Sequence, residues 1–303
     1  MRTSVKLPLA VLAAGAAGLG WSLAEARAYT LRRFSVPVLP AGSSPLRVLC
    51  LSDLHLVPNQ TKKLEWVRGL AALEPDLVVS TGDNLAHLEA VPAVLKAHEH
   101  LLKLPDVFVL GSNDYFAPRP KNPARYLLPY GGKKRIHGVR LPTADLVNGF
   151  REAGWIDLDN RREQLKINDL RLEFVGVDDP HIKRDRYAEV AGQADPTAAL
   201  TIGVAHAPYL RVLDAMTADG AGLILAGHTH GGQLCVPGYG ALTTNCDLDR
   251  PRAKGVSRYP GDGTDPTDAW MHVSAGLGTS PYTPVRFACR PEATLLTLTA
   301  ITA

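Results

Sequence analysis

The sequence predicts an α/β fold in which two packed β-sheets, flanked by helices, form one domain. Three observations carry that expectation. Continuous apolar runs that end in polar residues (LRVLCLSD from Leu46, DLVVSTGD from Asp76, DVFVLGSND from Asp106) have the pattern of strands buried on both faces. Segments with helical apolar spacing separate these runs, which argues for parallel βαβ units. Further strands gather in a second, later cluster, which implies a second sheet. A chain of 303 residues with 46% hydrophobic and 21% charged residues is long enough for this and ordinary in composition.

Taken in order, the first element is an apolar stretch from Leu7 to Leu23 preceded by Arg2 and Lys6, the pattern of a signal peptide or signal anchor. Two small-residue sites, Ala24-Glu25-Ala26 and Ala26-Arg27-Ala28, resemble cleavage sites, but their charges favour a retained anchor. Residues 1–28 are therefore expected to form a single membrane anchor. Basic residues on both sides leave its orientation open, with the extracytoplasmic side favoured. Residues 29–45, an alternating strand-like part followed by a Pro/Gly/Ser cluster, are expected to be a linker. Residues 46–303 are expected to be the globular domain.

Within that domain, Thr61–Leu73 and Val91–Leu104 read as helices, the second with Pro92 in its first turn. From Ala117 to Ala144 the chain has seven basic residues and no acidic one, and reads as an insertion facing either solvent or an anionic ligand. Gln164–Ile167 and Arg171–Val177 read as a hairpin. LTIGVAH and GLILAGHTH read as buried strands flanking a helix near Tyr209–Ala215. Trp270–Ser274 and Ala293–Leu298 read as late strands.

Net charge is +3, and the basic excess sits in the first forty residues, so composition gives little reason to expect nucleic-acid binding. Cys50, Cys235, Cys246 and Cys289 lack the density of a disulfide scaffold, and only Cys235 and Cys246 share a loop.

Five islands of metal-ligand residues each follow a strand-like run: Asp53 and His55 in LSDLH, Asp83 in TGDN, Asn113 in GSND, His206 in VAHAP, and His228 and His230 in GHTH. Functional groups gather beyond the carboxyl ends of strands in open α/β sheets. On extended backbone, residues two apart point the same way, so Asp53 and His55 are expected to reach one ion, and the same spacing relates His228 to His230. Oxygen and imidazole donors without thiolates suit Mn, Fe or Zn. So many ligands imply two divalent metal ions, with a carboxylate such as Asp83 able to bridge them.

These islands resemble the pattern of the calcineurin-like metallophosphoesterase superfamily over about residues 46–300: DxH, GD, GNH(D/E), a lone His, and GHxH. The resemblance implies a four-layer α/β/β/α sandwich of two mixed sheets. It implies Asp53, His55 and His230 on one metal, Asn113, His206 and His228 on the other, and Asp83 between them. GHTHGGQ and the apolar amino terminus look most like the branch of membrane-linked or exported bacterial phosphodiesterases, which includes UDP-diacylglucosamine pyrophosphohydrolases.

The third motif departs from the family. Aligned without a gap, Ser112 replaces the liganding Asn, and Asn113 replaces the phosphate-contacting His. A local shift instead makes Asn113 the ligand with Asp114 beside it, and is favoured because it keeps the second metal's amide. Asp83, Asn113, Asp114 and His206 are thus the residues expected to take part in catalysis. Arg286 and Arg290 are left between a pocket role and surface ion pairs.

The expected function is metal-dependent phosphodiester or pyrophosphate hydrolysis by a monomer acting on a lipid- or nucleotide-linked substrate. The alternative is a membrane-anchored, metal-dependent binder of a phosphorylated ligand with little turnover.

Overall fold

Alternation along the strands sorts their side chains into three apolar layers. The computed structural model describes residues 3–120, 137–265 and 267–301, with side chains from residue 11 onward. From strand β2 (Leu46–Leu51), Leu49 and Leu51 pack with Val78 and Phe108 against helices α2 (Thr61–Gly69), α3 (Val91–His98) and α5 (Thr143–Glu152). The intervening Val48 and Cys50 face the other way, into a core shared by both sheets. A third cluster joins Val175, Ile224 and Met271 to Val212 and Leu213 of α6 (Leu210–Ala218). Helices, two sheets and a final helix therefore stack as expected, because a strand buried on both faces needs a partner layer on each.

The first sheet runs β1-β14-β2-β3-β4-β5. β2, β3 (Leu77–Ser80), β4 (Asp106–Phe108) and β5 (Ile156–Asp157) are parallel, and β14 (Glu292–Ala300) is antiparallel to β2. The second sheet runs β12-β13-β9-β8-β7-β6. Here β7 (Leu170–Gly176), β8 (Leu200–Val204), β9 (Leu223–Ala226) and β13 (Ala269–Val273) are parallel. β6 (Arg161–Ile167) and β12 (Gly255–Tyr259) close the edges in antiparallel fashion. A short hairpin, β10 (Cys235–Val236) with β11 (Gly240–Ala241), stands apart.

The expected linker is different. Its strand-like part is β1 (Thr30–Leu39), which pairs in parallel with β14 and buries Val36 and Leu39 between the sheets. The sheet thus begins at Thr30 rather than Leu46, and Pro37 is tolerated because β1 is an edge strand. The basic stretch falls largely on residues 121–136, outside those described, and its last residues enter α5.

The amino-terminal segment forms helix α1 (Thr3–Glu25), with side chains before residue 11 outside those described. Among the described residues, no helix is long and apolar enough to cross a membrane. The end of α1 is joined to the domain. Glu25, buried, accepts hydrogen bonds from the backbone N–H of Cys289 at 2.6 Å and Ala288 at 3.1 Å. Arg286 N–H donates to the Ser22 carbonyl at 3.0 Å.

At the start of β4, Asp106 is buried and neither carboxylate oxygen has a hydrogen-bond partner among the described residues. Burial raises its pKa well above the carboxylate range. Above the unfolded pKa of about 4, the unfolded chain releases this proton while the folded chain keeps it, so stability is lost as pH rises through that window. Asp106→Val is therefore expected to stabilise the protein by about 1–3 kcal/mol at pH 7.5. The gain should shrink towards pH 4 in urea titrations, and an equal or larger gain at pH 4 would sink this account.

Candidate metal centre

All five sequence islands lie at the carboxyl ends of β2, β3, β4, β8 and β9, on the same rim of the two sheets. The backbone there is unusual. Asp53, His55, Asp83, His228 and His230 all have positive φ, between 42° and 68°. Left-handed backbone costs a non-glycine residue roughly 1–2 kcal/mol, and such residues persist only where their surroundings enforce them. Close packing does so here: a side chain on Gly227 would collide with Ser52 and Asp53, and one on Gly276 with Asp53.

The left-handed turns correct the reasoning about spacing. Asp53 and His55 do converge, but through turns after β2 rather than along an extended strand. His228 and His230 diverge. His230 joins Asp53 and His55, whereas His228 stands outside both ligand groups, with Nε2 3.3 Å from the Asn245 carbonyl and amide.

Two groups have ligand atoms close enough to share an ion: Asp53, His55 and His230, and Asp53, Asp83 and His206. In the first, the Nε2 atoms of His55 and His230 face each other at 3.2 Å, with Asp53 Oδ1 3.5 Å from His230. Asp53 Oδ1 has no hydrogen-bond partner among the described residues, while its Oδ2 accepts from Ser52 Oγ and the His228 N–H. Burial lowers the His55 pKa to about 4, against the pull of Asp83, and burial with Arg286 lowers that of His230 to about 3. Both rings are therefore neutral at pH 7, and in their Nδ1-protonated tautomers both can turn a lone pair towards a common point.

In the second group, His206 Nδ1 donates to the Thr81 carbonyl at 2.7 Å, which leaves its buried Nε2 without a hydrogen-bond partner among the described residues. Such a second contact is how metal-binding histidines fix their tautomer. Burial disfavours an imidazolium here, yet the Asp83 carboxylate outweighs it and raises the His206 pKa. The cavity favours positive charge at that point. Asp83 Oδ2 lies 3.5 Å from Nε2 of both His55 and His206, so this one oxygen touches both groups. An orphaned carboxylate oxygen, an orphaned imidazole nitrogen and two opposed imidazole nitrogens fit a divalent cation with oxygen and nitrogen ligands.

Helix α4 (Ser112–Tyr115) presents the third motif. Asn113 donates through Nδ2 to Asp83 Oδ2 and through its backbone N–H to Oδ1, both at 2.7 Å. Asn113, not Ser112, thus has its amide against the ligand carboxylate. Asp114 faces elsewhere. It is fully buried and accepts from the backbone N–H groups of Gly111, Asp83, Asn84 and Leu85. Burial and Asp83 raise its pKa to about 7. The structure therefore corrects the expectation for Asp114, which braces the Asp83 turn and presents no atom to the cavity.

The structure also places residues that the sequence leaves open or does not single out. His181 packs its ring 4.2 Å from that of His228. Arg286 is fully buried, donating to the carbonyls of Ala275 and Gly278 at 2.7 Å and Gly276 at 3.1 Å, and lies 3.3 Å from the His230 carbonyl and Nδ1. Cys235 faces Cys289 rather than Cys246: both sulfurs lie near the Gly231 carbonyl, at 3.2 and 3.5 Å, and all four cysteines are free thiols. Adjacent thiols from separate segments leave no short sequence signal.

The family model for calcineurin-like phosphoesterases matches residues 46–232, which contain every candidate ligand. The chain belongs to the calcineurin-like phosphoesterase family. Membership makes it a phosphoric ester hydrolase, consistent with the donor set above. Among relatives of this phosphoesterase, YpbG of Bacillus subtilis is 29% identical over 98% of each chain. Phosphodiesterase YaeI of Escherichia coli is 25% identical, over 89% of this chain and 88% of its own. A Bos taurus transmembrane protein with a metallophosphoesterase domain is 28% identical over 66% of this chain, which spans 44% of that protein.

Proposed function

We propose that this phosphoesterase cleaves phosphodiester or pyrophosphate bonds with a dinuclear metal centre, and that its amino-terminal segment holds it at a membrane. The observation that carries the dinuclear reading is Asp83 Oδ2, 3.5 Å from one imidazole of each ligand group, His55 and His206. Asp53, His55 and His230 would hold one divalent cation of the Mn, Fe or Zn class; Asp83, Asn113 and His206 would hold the other. His228 joins the second set only by leaving Asn245. When bound, such a pair would supply Lewis acidity towards phosphate oxygens and would make a water more acidic.

The chain's own residues set the geometry. Asp83 fixes the separation of the two sets, and Asn113 restrains Asp83 through both carboxylate oxygens. The Thr81 carbonyl keeps the His206 proton on Nδ1. No histidine follows Asn113, and Asp114 is spent on backbone N–H groups, so the third motif offers no proton to a leaving group. Loss of a general acid costs about 10²–10⁴ in rate. Substrates whose leaving group needs little protonation, such as a phosphate in a pyrophosphate or an aryl alcohol, are therefore favoured.

With added Mn, the protein is expected to hydrolyse bis-p-nitrophenyl phosphate, and His206→Ala to abolish that turnover. Dialkyl phosphates should react slower than aryl ones by about 10²-fold or more. Equal rates for the two classes would overturn the proposed specificity. Membrane attachment is supported by the apolar α1, by Glu25 buried at its end, and by a relative named as a transmembrane protein. Removal of the segment at Ala26 or Ala28 would delete the Glu25 carboxylate that the domain binds.

A further inference from the structure

The β10–β11 hairpin follows His230–Gly232 directly and exposes its apolar side chains. Leu234 and Val236 are each 44% exposed and Tyr239 is 60% exposed, while the alternate residue Cys235 is buried. Tyr282, 54% exposed, belongs to a segment bound to the same strand. Gln233 Nε2 donates to the Thr283 and Val285 carbonyls, and Leu234 bridges Phe287. That segment also receives α1, through Arg286 N–H to Ser22 and through Glu25 to Ala288 and Cys289. Hairpin, segment and helix are thus hydrogen-bonded in sequence beside the metal centre.

We propose that the hairpin tip and Tyr282 form a lipid-facing apron continuous with α1, so that the metal centre works at a bilayer surface. This rests on the membrane attachment proposed above and adds a second point of contact. The occupant follows from α1. From Val11 to Trp21 the helix is uncovered on every side, and it is also apolar on every side. A second copy of the chain would cover one stripe of such a helix, whereas hydrocarbon covers all of it. At the base of the helix, Trp21 is an amphipathic ring of the kind that lies at headgroup depth, and Arg27, Arg32 and Arg33 are exposed. Tyr239 repeats that chemistry on the hairpin, with the Arg250 guanidinium 5.2 Å from its ring. Aromatic rings backed by arginines match an anionic headgroup layer over an apolar interior.

The test uses the full chain in nanodiscs of phosphatidylcholine and phosphatidylglycerol with brominated acyl chains. Trp21→Phe removes the helix reporter, and Tyr239→Trp in that background adds one at the hairpin tip. The emission added by Tyr239→Trp is expected to be quenched in brominated but not in ordinary lipid. Hydrolysis of soluble bis-p-nitrophenyl phosphate should stay unchanged, which shows that the variant folds. Quenching at Trp21 with none at position 239 overturns the apron and leaves the attachment standing; quenching at neither overturns both. A stable dimer in detergent, in which position 239 is shielded by the second copy and not by lipid, also overturns it.

Discussion

Asp83→Ala is expected to abolish metal-dependent phosphodiester hydrolysis and lower bound metal together. Asp53 belongs to both ligand groups, and Asp83 Oδ2 adds a second link, lying 3.5 Å from His55 of one group and His206 of the other. Burial opposes the Asp83 charge, yet the facing His206 ring and the Asn113 amide hold its pKa well below the usual range, so it is a carboxylate at neutral pH. Metal-ion catalysis supplies several kcal/mol of transition-state stabilisation. At 1.36 kcal/mol per tenfold, its loss is a fall in kcat of about 10³ or more. The sharper measurement is metal stoichiometry. A single-centre enzyme would keep its one ion in Asp83→Ala through Asp53, His55 and His230. A dinuclear one should lose one ion and hold the other less tightly. Full activity with unchanged metal content would remove Asp83 from the site.

Arg286→Met should destabilise the fold more than any surface change. The guanidinium is fully buried, and the carbonyls it serves at 2.7–3.1 Å belong to Ala275, Gly276 and Gly278. An unpaired buried carbonyl costs about 1–3 kcal/mol, so leaving several orphaned should cost roughly 3–5 kcal/mol, or about 10 °C in Tm for a domain of this size. Function should suffer before unfolding does, because the same guanidinium lies against His230, and outer contacts of metal ligands are typically worth 10–100-fold in metal affinity. Thermal melts with and without Mn separate the two effects. Arg286→Lys, which keeps the charge but not the fork, should recover part of the stability and little of the affinity. A melt within about 2 °C of the parent would show the arginine to be idle.

How much of this was legible in the sequence follows from where each signal resides. The strands stood out because LVVS and LTIGV are buried on both faces, which forces uninterrupted apolar runs. The ligands stood out because each follows such a run. Their local geometry did not, since left-handed turns at Asp53, His55, His228 and His230 arise from close packing around Gly227 and Gly276. Helix α5 was hidden by its position at the end of a basic, proline-rich stretch. Asp114 looked catalytic because it adjoins Asn113, but one step along a helix turns a side chain to another face, here towards four backbone N–H groups. Arg286 stays undecided in the sequence between a pocket role and a surface ion pair, because its acceptors are main-chain carbonyls gathered by the fold.

The pairing of β1 with β14 bears on how the molecule is made. β14 lies between β1 and β2, so β1, although made before β2, has no neighbour among the described strands until β14 emerges. The partners of Glu25 and the arginine behind His230 also belong to that final stretch. A nascent chain can deliver α1 early, but it cannot set Arg286 behind His230 until the segment leading into β14 has emerged. Chains that stop before Arg286 therefore lack the clasp behind His230.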